Sequence, residues 1–317
     1  MKKKSAVKVE FSRNWQLYLL LIIPVVYVLV FSYYPMLGLQ IAFKDYRIAM
    51  NMWEAPIHPR GMFFHFQTFL QNPRFWELFN NTIILSLYSL LVTAIMPVFM
   101  ALIVHNVMNR KLKKSVQMIT YAPYFISSVV MVGMMMVIMH PRTGLINNFM
   151  ALIGVDRRNF FAIPEAFRHM FVWSDVWQST GYAAIIYIAA LTNVDPQLHE
   201  AAKVDGASKW KRLIHVDLPG IAPTFIILLI LATGRILDTG HTRVLLFQNP
   251  LNISYSRVID TYLFERGLGM GVPGAGGAGM PNYPYAAAIG MTKSAVGLIM
   301  ILIVNRISRK VTETSLW

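Results

Sequence analysis

Cysteine is missing from all 317 residues, and charge is scarce, with 14% of positions occupied by Asp, Glu, Lys or Arg. The first absence excludes disulfides, thiolate nucleophiles and Cys-ligated metals, and leaves the redox compartment unreadable. The second sets the chain apart from soluble domains, in which about 25% of residues are charged. No Gly-x-x-x-x-Gly-Lys-Ser/Thr sequence is present to cradle phosphates, so this chain is not expected to hydrolyse ATP itself. A zinc ligand is also lacking. His199-Glu200-Ala201-Ala202-Lys203 falls one residue short of H-E-x-x-H, because Lys203 stands where the second histidine belongs. With no metal pair and no nucleophile elbow, a membrane-embedded hydrolase has little to stand on. No basic stripe with interleaved aromatics occurs, so nucleic acid is not an expected partner despite the net charge of +14.

What the chain has instead is apolar length. Hydrophobic residues make up 56% of it and fall in long uncharged blocks. A span needs roughly 20 apolar residues to cross about 30 Å of hydrocarbon. Six windows meet or nearly meet that length: 15–34, 82–106, 116–139, 170–191, 220–237 and 285–304. The second and third carry no charge worth noting. Asp175 lies in the fourth, Arg235 and Asp238 close the fifth, and Lys293 lies in the sixth. The amino terminus, with Lys2, Lys3, Lys4 and Lys8, looks at first like a signal peptide. Its apolar run from Trp15 to Phe43 is too long and ends in no A-x-A site, so it reads as an uncleaved first span.

The cations lie between the blocks. They are Arg13 with the tail lysines; Arg110, Lys111, Lys113 and Lys114; Lys203, Lys209, Lys211 and Arg212; and Arg306, Arg309 and Lys310. All four groups fall on one side of a six-span chain, where they would meet anionic lipid headgroups, and the positive-inside rule makes that side cytoplasmic. The expectation is an all-α integral membrane protein of six transmembrane helices, with both termini in the cytoplasm. It comprises a basic tail over 1–14, a spanning domain over 15–304 and a second tail over 305–317. The opposite loops carry aromatics (Phe63, Phe64, Phe66, Phe69, Phe75, Trp76 and Phe79) suited to a headgroup-level belt or to a docking surface. Gly267 to Pro284, rich in Gly and Pro, is expected to form neither helix nor buried strand. Five methionines (Met131, Met134, Met135, Met136 and Met139) crowd the third window. Adaptable packing explains them more simply than a path for Cu(I).

One polar segment on the cytoplasmic side has a different character. Asp195 followed by Pro196 is a helix start, an N-cap acceptor ahead of a residue preset for the first turn. Gly206 stands where that helix would end in a left-handed residue. Between them Leu198, Ala201, Ala202 and Asp205 share one face, and the paired alanines allow close approach to another surface. Ser208 is placed to cap a second short helix, and Pro219 to restart the chain into the fifth span. His199 reads as a surface residue.

This segment, over 193–219, resembles the cytoplasmic EAA loop of permeases in binding-protein-dependent ABC importers. Glu200, Ala201 and Ala202 match the acidic-Ala-Ala triplet, Gly206 follows at the family spacing, and Val216, Leu218 and Pro219 match its closing apolar-x-Leu-Pro. The resemblance extends over nearly the whole chain and looks closest to oligosaccharide and polysaccharide permeases related to the maltose permeases. Asn81-Thr82, Gly144 to Asn148, Asn249-Pro250, Asp260 to Tyr262, Ala288 to Gly290, Lys293-Ser294 and Ser315 to Trp317 carry it. The glycine-rich Gly271 to Gly279 departs from the pattern. The resemblance implies a type I ABC importer permease fold, with Glu200, Ala201, Ala202, Asp205, Gly206, Leu218 and Pro219 in a coupling helix seated on an ATPase subunit. It also implies a second homologous permease, two ATPase subunits holding ATP and Mg, an extracytoplasmic binding protein and an oligosaccharide carried by alternating access in a bacterial cytoplasmic membrane. This chain itself would bind no cofactor or metal. A permease for peptides or amino acids is the rival within the class.

Charges in or beside spans point to function by default, because burying them costs several kcal/mol or so. Arg235 lies roughly 24 Å along a helix from Pro219, where it can snorkel, pair with Asp238, or line a cavity and meet a carboxylated sugar such as alginate. Lys293 matches a family position in the last span. Asp175 can mark the outer end of the fourth span, flanked by Trp173 and Trp177, whose rings suit either an interface or sugar stacking.

Overall fold

The structure, a computed structural model, describes residues 6–270 and 279–312. Lys2, Lys3, Lys4, the glycine-rich stretch over 271–278 and the terminal Ser315 to Trp317 lie outside the described residues. Among the described residues every regular element is helical, apart from one isolated bridge between Lys44 and Ile57.

The first rod begins with α1 (Ala6–Val28). It continues through a π-helical turn (Leu29–Tyr33), α2 (Tyr34–Met36) and a 3-10 turn (Leu37–Phe43). Asn14 departs from helical angles (φ −114°, ψ 20°), so the basic tail is itself helical from Ala6 and is set off from the span by a kink. The wide turn before Pro35 relieves the clash a proline ring makes with the carbonyl four residues back. After α3 (Phe64–Leu70), α4 (Phe75–Asn106) runs 32 residues, beginning well before the expected residue 82.

The window over 116–139 is not one straight span. It divides into α5 (Arg110–Tyr121), a 3-10 turn (Ala122–Phe125) and α6 (Ser128–Ile138), with the two arms bent by 102°. The physical reason lies in the sequence at the break. Pro123 offers no backbone donor, Ile126 is extended (φ −78°, ψ 132°), and the Ser127 hydroxyl accepts from the Val130 amide at 3.3 Å to start a new helix. Apolar composition had masked these local signals.

The chain continues through α7 (Leu145–Leu152), α8 (Ala166–Thr192), α9 (Pro196–Val204) and α10 (Lys209–Arg212). A second π-helical turn (Leu213–Asp217) leads into α11 (Leu218–Thr233), so Pro219 lies inside one continuous helical run rather than restarting the chain. After α12 (His241–Phe247) and α13 (Ile253–Ser256) come α14 (Ile259–Leu268) and α15 (Tyr283–Thr312). The ends of the Gly/Pro-rich stretch therefore do enter helices, with Gly267 and Leu268 closing α14 and Pro284 tolerated in the first turn of α15. The α15 helix also passes through the segment expected as a tail from residue 305.

Among the described residues four helical runs are long and apolar enough to cross a membrane: Asn14–Phe43, Phe75–Asn106, Lys209–Thr233 and Tyr283–Lys310. Counting the bent pair as one span makes five. The six expected from hydropathy also needed α8. Its 27 residues extend about 40 Å, but Arg168, His169, Asp175 and Gln178 make its first half polar.

Association between the runs relies on small residues, which let backbones approach where hydrophobicity alone cannot drive helices together. A Cβ at Gly181 of α8 would lie 2.1 Å from the Thr120 carbonyl oxygen of α5. One at Gly297 of α15 would lie 2.9 Å from the Gly234 carbonyl oxygen at the end of α11. Met131 is buried, with Met135 and Met139 packed on the same core as Phe167, Phe171 and Phe247, which fits the packing reading of the methionines. The aromatic loop is divided: Phe69 is buried, while Phe63 and Trp76 are exposed.

Candidate functional site

The polar segment folds as its residues dictate. The Asp195 side chain accepts from the Gln197 amide at 2.9 Å, and Pro196 opens α9. At the other end Gly206 is left-handed (φ 72°), its amide bonding the Lys203 carbonyl at 3.0 Å, while the Ala207 amide reaches the Ala202 carbonyl at 2.8 Å. These two bonds form a Schellman stop, which satisfies carbonyls that a helix end would otherwise leave bare. Ser208 then caps α10 by accepting from the Lys211 amide at 3.4 Å. Glu200, Ala201, Asp205, Leu218 and Pro219 are exposed and Ala202 half-buried. The corner also presents Leu198, Val204 and Trp210, the last two 88% and 72% exposed, a large apolar area with no cover among the described residues. His199 is not simply a surface residue: its Nε2 lies 3.2 Å from Oδ1 of Asp217, a buried carboxylate.

A second feature is a cavity of about 670 Å³ between α4, α8, α11 and α12, within the range of about 300–1,000 Å³ typical of small-molecule sites. It gathers Asp175, Arg235 and Asp238 from the charges that the sequence had singled out. Hydroxyls of Ser86, Ser89, Thr93, Ser128, Thr239 and Thr242 complete a polar wall. Arg235 is exposed on the turn after α11 and makes no ion pair among the described residues, so the expected pairing with Asp238 is not made. Asp238 instead lies 3.5 Å from Lys293. Lys293 also donates to Asp260, a buried carboxylate that further accepts from the Thr239 amide at 2.8 Å and hydroxyl at 3.1 Å. Asp175 sits nine residues into α8 and pairs with Arg243 of α12, which also bonds the Gln178 side chain. Gln178 in turn donates to the Ile126 carbonyl at the break between α5 and α6, satisfying an acceptor that the broken helix leaves unpaired.

Trp177 lies elsewhere. With Trp173 it borders a separate apolar groove lined by Met131, Met134 and Met135, outside the polar cavity. Arg243, Gln178 and Asp260 are the residues that sequence reasoning missed. Their signal was indirect: Asp175 and Lys293 each demanded a partner, and the partners lie 68 and 33 residues away. Among the described residues no group of three His, Asp or Glu side chains is placed to hold a metal ion.

The family-like asparagines prove to be ties. The Asn81 side chain donates to the carbonyls of Ser254 (2.8 Å) and Arg257 (3.1 Å) and accepts from Arg168 at 2.9 Å. Thr82 accepts from the Ile259 amide. Asn147 holds residues 139, 140 and 158 together, and the Asn249 side chain donates to the Phe161 carbonyl at 2.9 Å.

A bundle of membrane-length helices with a polar cavity inside and a capped helical corner at one end defines a transport subunit rather than an enzyme. Residues 93–313 match the binding-protein-dependent transport system inner membrane component family, and the chain belongs to that family as a non-catalytic permease subunit of an ABC importer. It is 33% identical to the polygalacturonan/rhamnogalacturonan transport system permease YteP of Bacillus subtilis (strain 168), over 99% of this chain and 94% of the other. Protein LplB of the same organism is 35% identical, over 96% and 92% of the two chains. Among solved structures, a chain of a bacterial ABC transporter for the acidic polysaccharide alginate matches with a TM-score of 0.83 and 35% identity, covering 96% of this chain and 99% of that one. A second alginate transporter structure, in complex with a periplasmic protein bound to an alginate pentasaccharide, matches with a TM-score of 0.84 and 36% identity over 97% and 98%. The fold is that of a type I ABC importer permease.

Proposed function

We propose that this permease carries acidic oligosaccharides derived from a polysaccharide across a bacterial cytoplasmic membrane by alternating access. The cavity carries the reading. Its two guanidinium groups, Arg235 and Arg243, stand among six hydroxyl-bearing side chains. Arginine meets carboxylates in bidentate fashion, and hydroxyls exchange hydrogen bonds with sugar hydroxyls. Arg243 is held by Asp175 and Gln178, whereas Arg235, with no ion pair among the described residues, is the guanidinium open to a uronate carboxylate. The names of the relatives support the same class of substrate.

In this reading α9 is the coupling helix, with Glu200, Ala201, Ala202, Asp205 and Gly206 seated on an ATPase subunit that holds ATP and Mg. The complex contains a second permease, two ATPase subunits and an extracytoplasmic binding protein. The bent pair forms one span and α8 another, which makes six. In this reading both termini and α9 lie in the cytoplasm, which the basic loops support.

Three experiments test it. In proteoliposomes with loaded binding protein, Arg235→Gln should lower uptake of a galacturonate oligosaccharide about tenfold and leave that of a neutral one unchanged. Equal losses for both would overturn the acidic class. Because the chain has no cysteine of its own, Glu200→Cys supplies a single labelling site that should cross-link to the ATPase subunit. No cross-link would remove the coupling assignment. Gly206→Val, forced into a left-handed backbone at a cost of about 1–3 kcal/mol, should abolish ATP-driven uptake.

A further inference from the structure

Asp217 has no part in the cavity, yet it is among the few fully buried carboxylates, 3% exposed. It closes the π-helical turn that leads into α11. Three elements meet around it. His199 approaches from α9, its Nε2 3.2 Å from Asp217 Oδ1. His105 arrives from the last turn of α4, close enough for its charge to interact with Asp217, His199 and Lys113, its Nδ1 buried without a hydrogen-bond partner. One turn beyond, Gly220 is pressed on Val194, where an added Cβ would lie 2.6 Å from the valine Cγ2.

We propose that Asp217 is the positioning residue of coupling: through His199 it makes α9 and the foot of α11 move as one body. The proposal rests on the reading that α9 docks on an ATPase subunit. An exposed ion pair would let the two elements part at little cost. Here the carboxylate sits where water barely reaches, and its Oδ1 makes no hydrogen bond among the described residues. Parting from His199 Nε2 would remove the polar group set 3.2 Å from that oxygen, which is unfavourable. The outer side of the corner, with Leu198, Val204 and Trp210, stays free for a partner while His199 grips inward. A push on the corner therefore passes into α11, whose far end carries Arg235 and Asp238 into the cavity.

The test uses the assembled transporter in proteoliposomes, with ATP hydrolysis and uptake measured together. Asp217→Asn keeps the shape and removes the charge, so separating α9 no longer strands an ion. Hydrolysis should stay within about twofold of the parent, while uptake per ATP falls about tenfold. His199→Gln should do the same, the double variant should fall no further, and Asp217→Glu should restore most of the ratio. Unchanged uptake per ATP in Asp217→Asn, or a double variant in which the losses multiply, would overturn the proposal. Should Asp217→Asn fail to assemble, His199→Gln, whose side chain is partly exposed, decides alone. Cross-linking from Glu200→Cys, run in each background, separates the two ideas. Lost coupling with the cross-link intact implicates Asp217, whereas absence of the cross-link in the parent defeats the docking reading itself.

Discussion

Replacing Lys293 by methionine removes a cation that serves both Asp260 and Asp238. The two carboxylates are unequal. Asp260 has a side chain 7% exposed, whereas that of Asp238 is 59% exposed. After Lys293→Met, Asp260 keeps the amide and hydroxyl of Thr239, two neutral donors around a full charge. Breaking a buried pair in this way costs about 3–5 kcal/mol. At roughly 2–4 °C per kcal/mol, the complex should melt at least about 6 °C lower. Asp238→Asn removes only the exposed, 3.5 Å contact and should cost less than about 1 kcal/mol. Tryptophan fluorescence of the detergent-solubilised complex during heating reads both. Adding Asp260→Asn to Lys293→Met neutralises the stranded carboxylate and should recover at least half of the loss. Equal shifts for Lys293→Met and Asp238→Asn, or a double variant less stable than Lys293→Met alone, would refute the reasoning.

Two further outcomes follow from packing and burial. Gly181→Ala sets a methyl group against the Thr120 carbonyl and should cost about 1–3 kcal/mol, visible as a loss of monodisperse protein on size exclusion, whereas Gly133→Ala, with open space around it, should be silent. Burial holds the His65 imidazole below its ordinary value of 6.5, against the weaker pull of the Lys44 carbonyl 3.3 Å away. The folded state thus prefers neutral His65, so its contribution to stability is complete above pH 6.5 and is lost as pH falls below it. Limited proteolysis of the loop over 44–63 should accelerate on acidification, and His65→Phe should abolish that pH dependence.

Local chemistry made the corner legible and distance hid the cavity. The helix from Asp195 to Gly206 could be read because its start and stop are made by neighbours: an aspartate two residues from the amide it accepts, and a glycine at the one position that must be left-handed. The charges of the cavity were recognised as costly, but their partners were not. Nothing near Asp175 announces Arg243, and the window for the fifth span ended before that residue. Hydropathy averaging also concealed the break at Ile126, since Pro123 and Ser127 barely lower the mean of an apolar block. At α8 the sequence offered Asp175 as the outer end of a span, and what it did not announce is the distant cation that holds this residue mid-helix. His199 read as exposed because its partner Asp217 lies beyond the loop, on the far side of the turn at Gly206.

The meeting of Gly234 with Gly297 has a mechanical consequence. Lys209 to Thr233 is a single helical run of 25 residues, and just past its last turn the Gly234 carbonyl lies against Gly297 of α15. A smooth glycine bearing there makes a fulcrum. The arm from Asp217 to Gly234 is about 25 Å long, whereas Arg235 and Asp238 stand within a few residues of the pivot. A tilt of about 10° sweeps the outer end through about 4 Å and turns the cavity end almost in place. Leverage of this kind trades stroke for force: a broad movement at the corner becomes a small, strong rotation of the guanidinium beside the cavity.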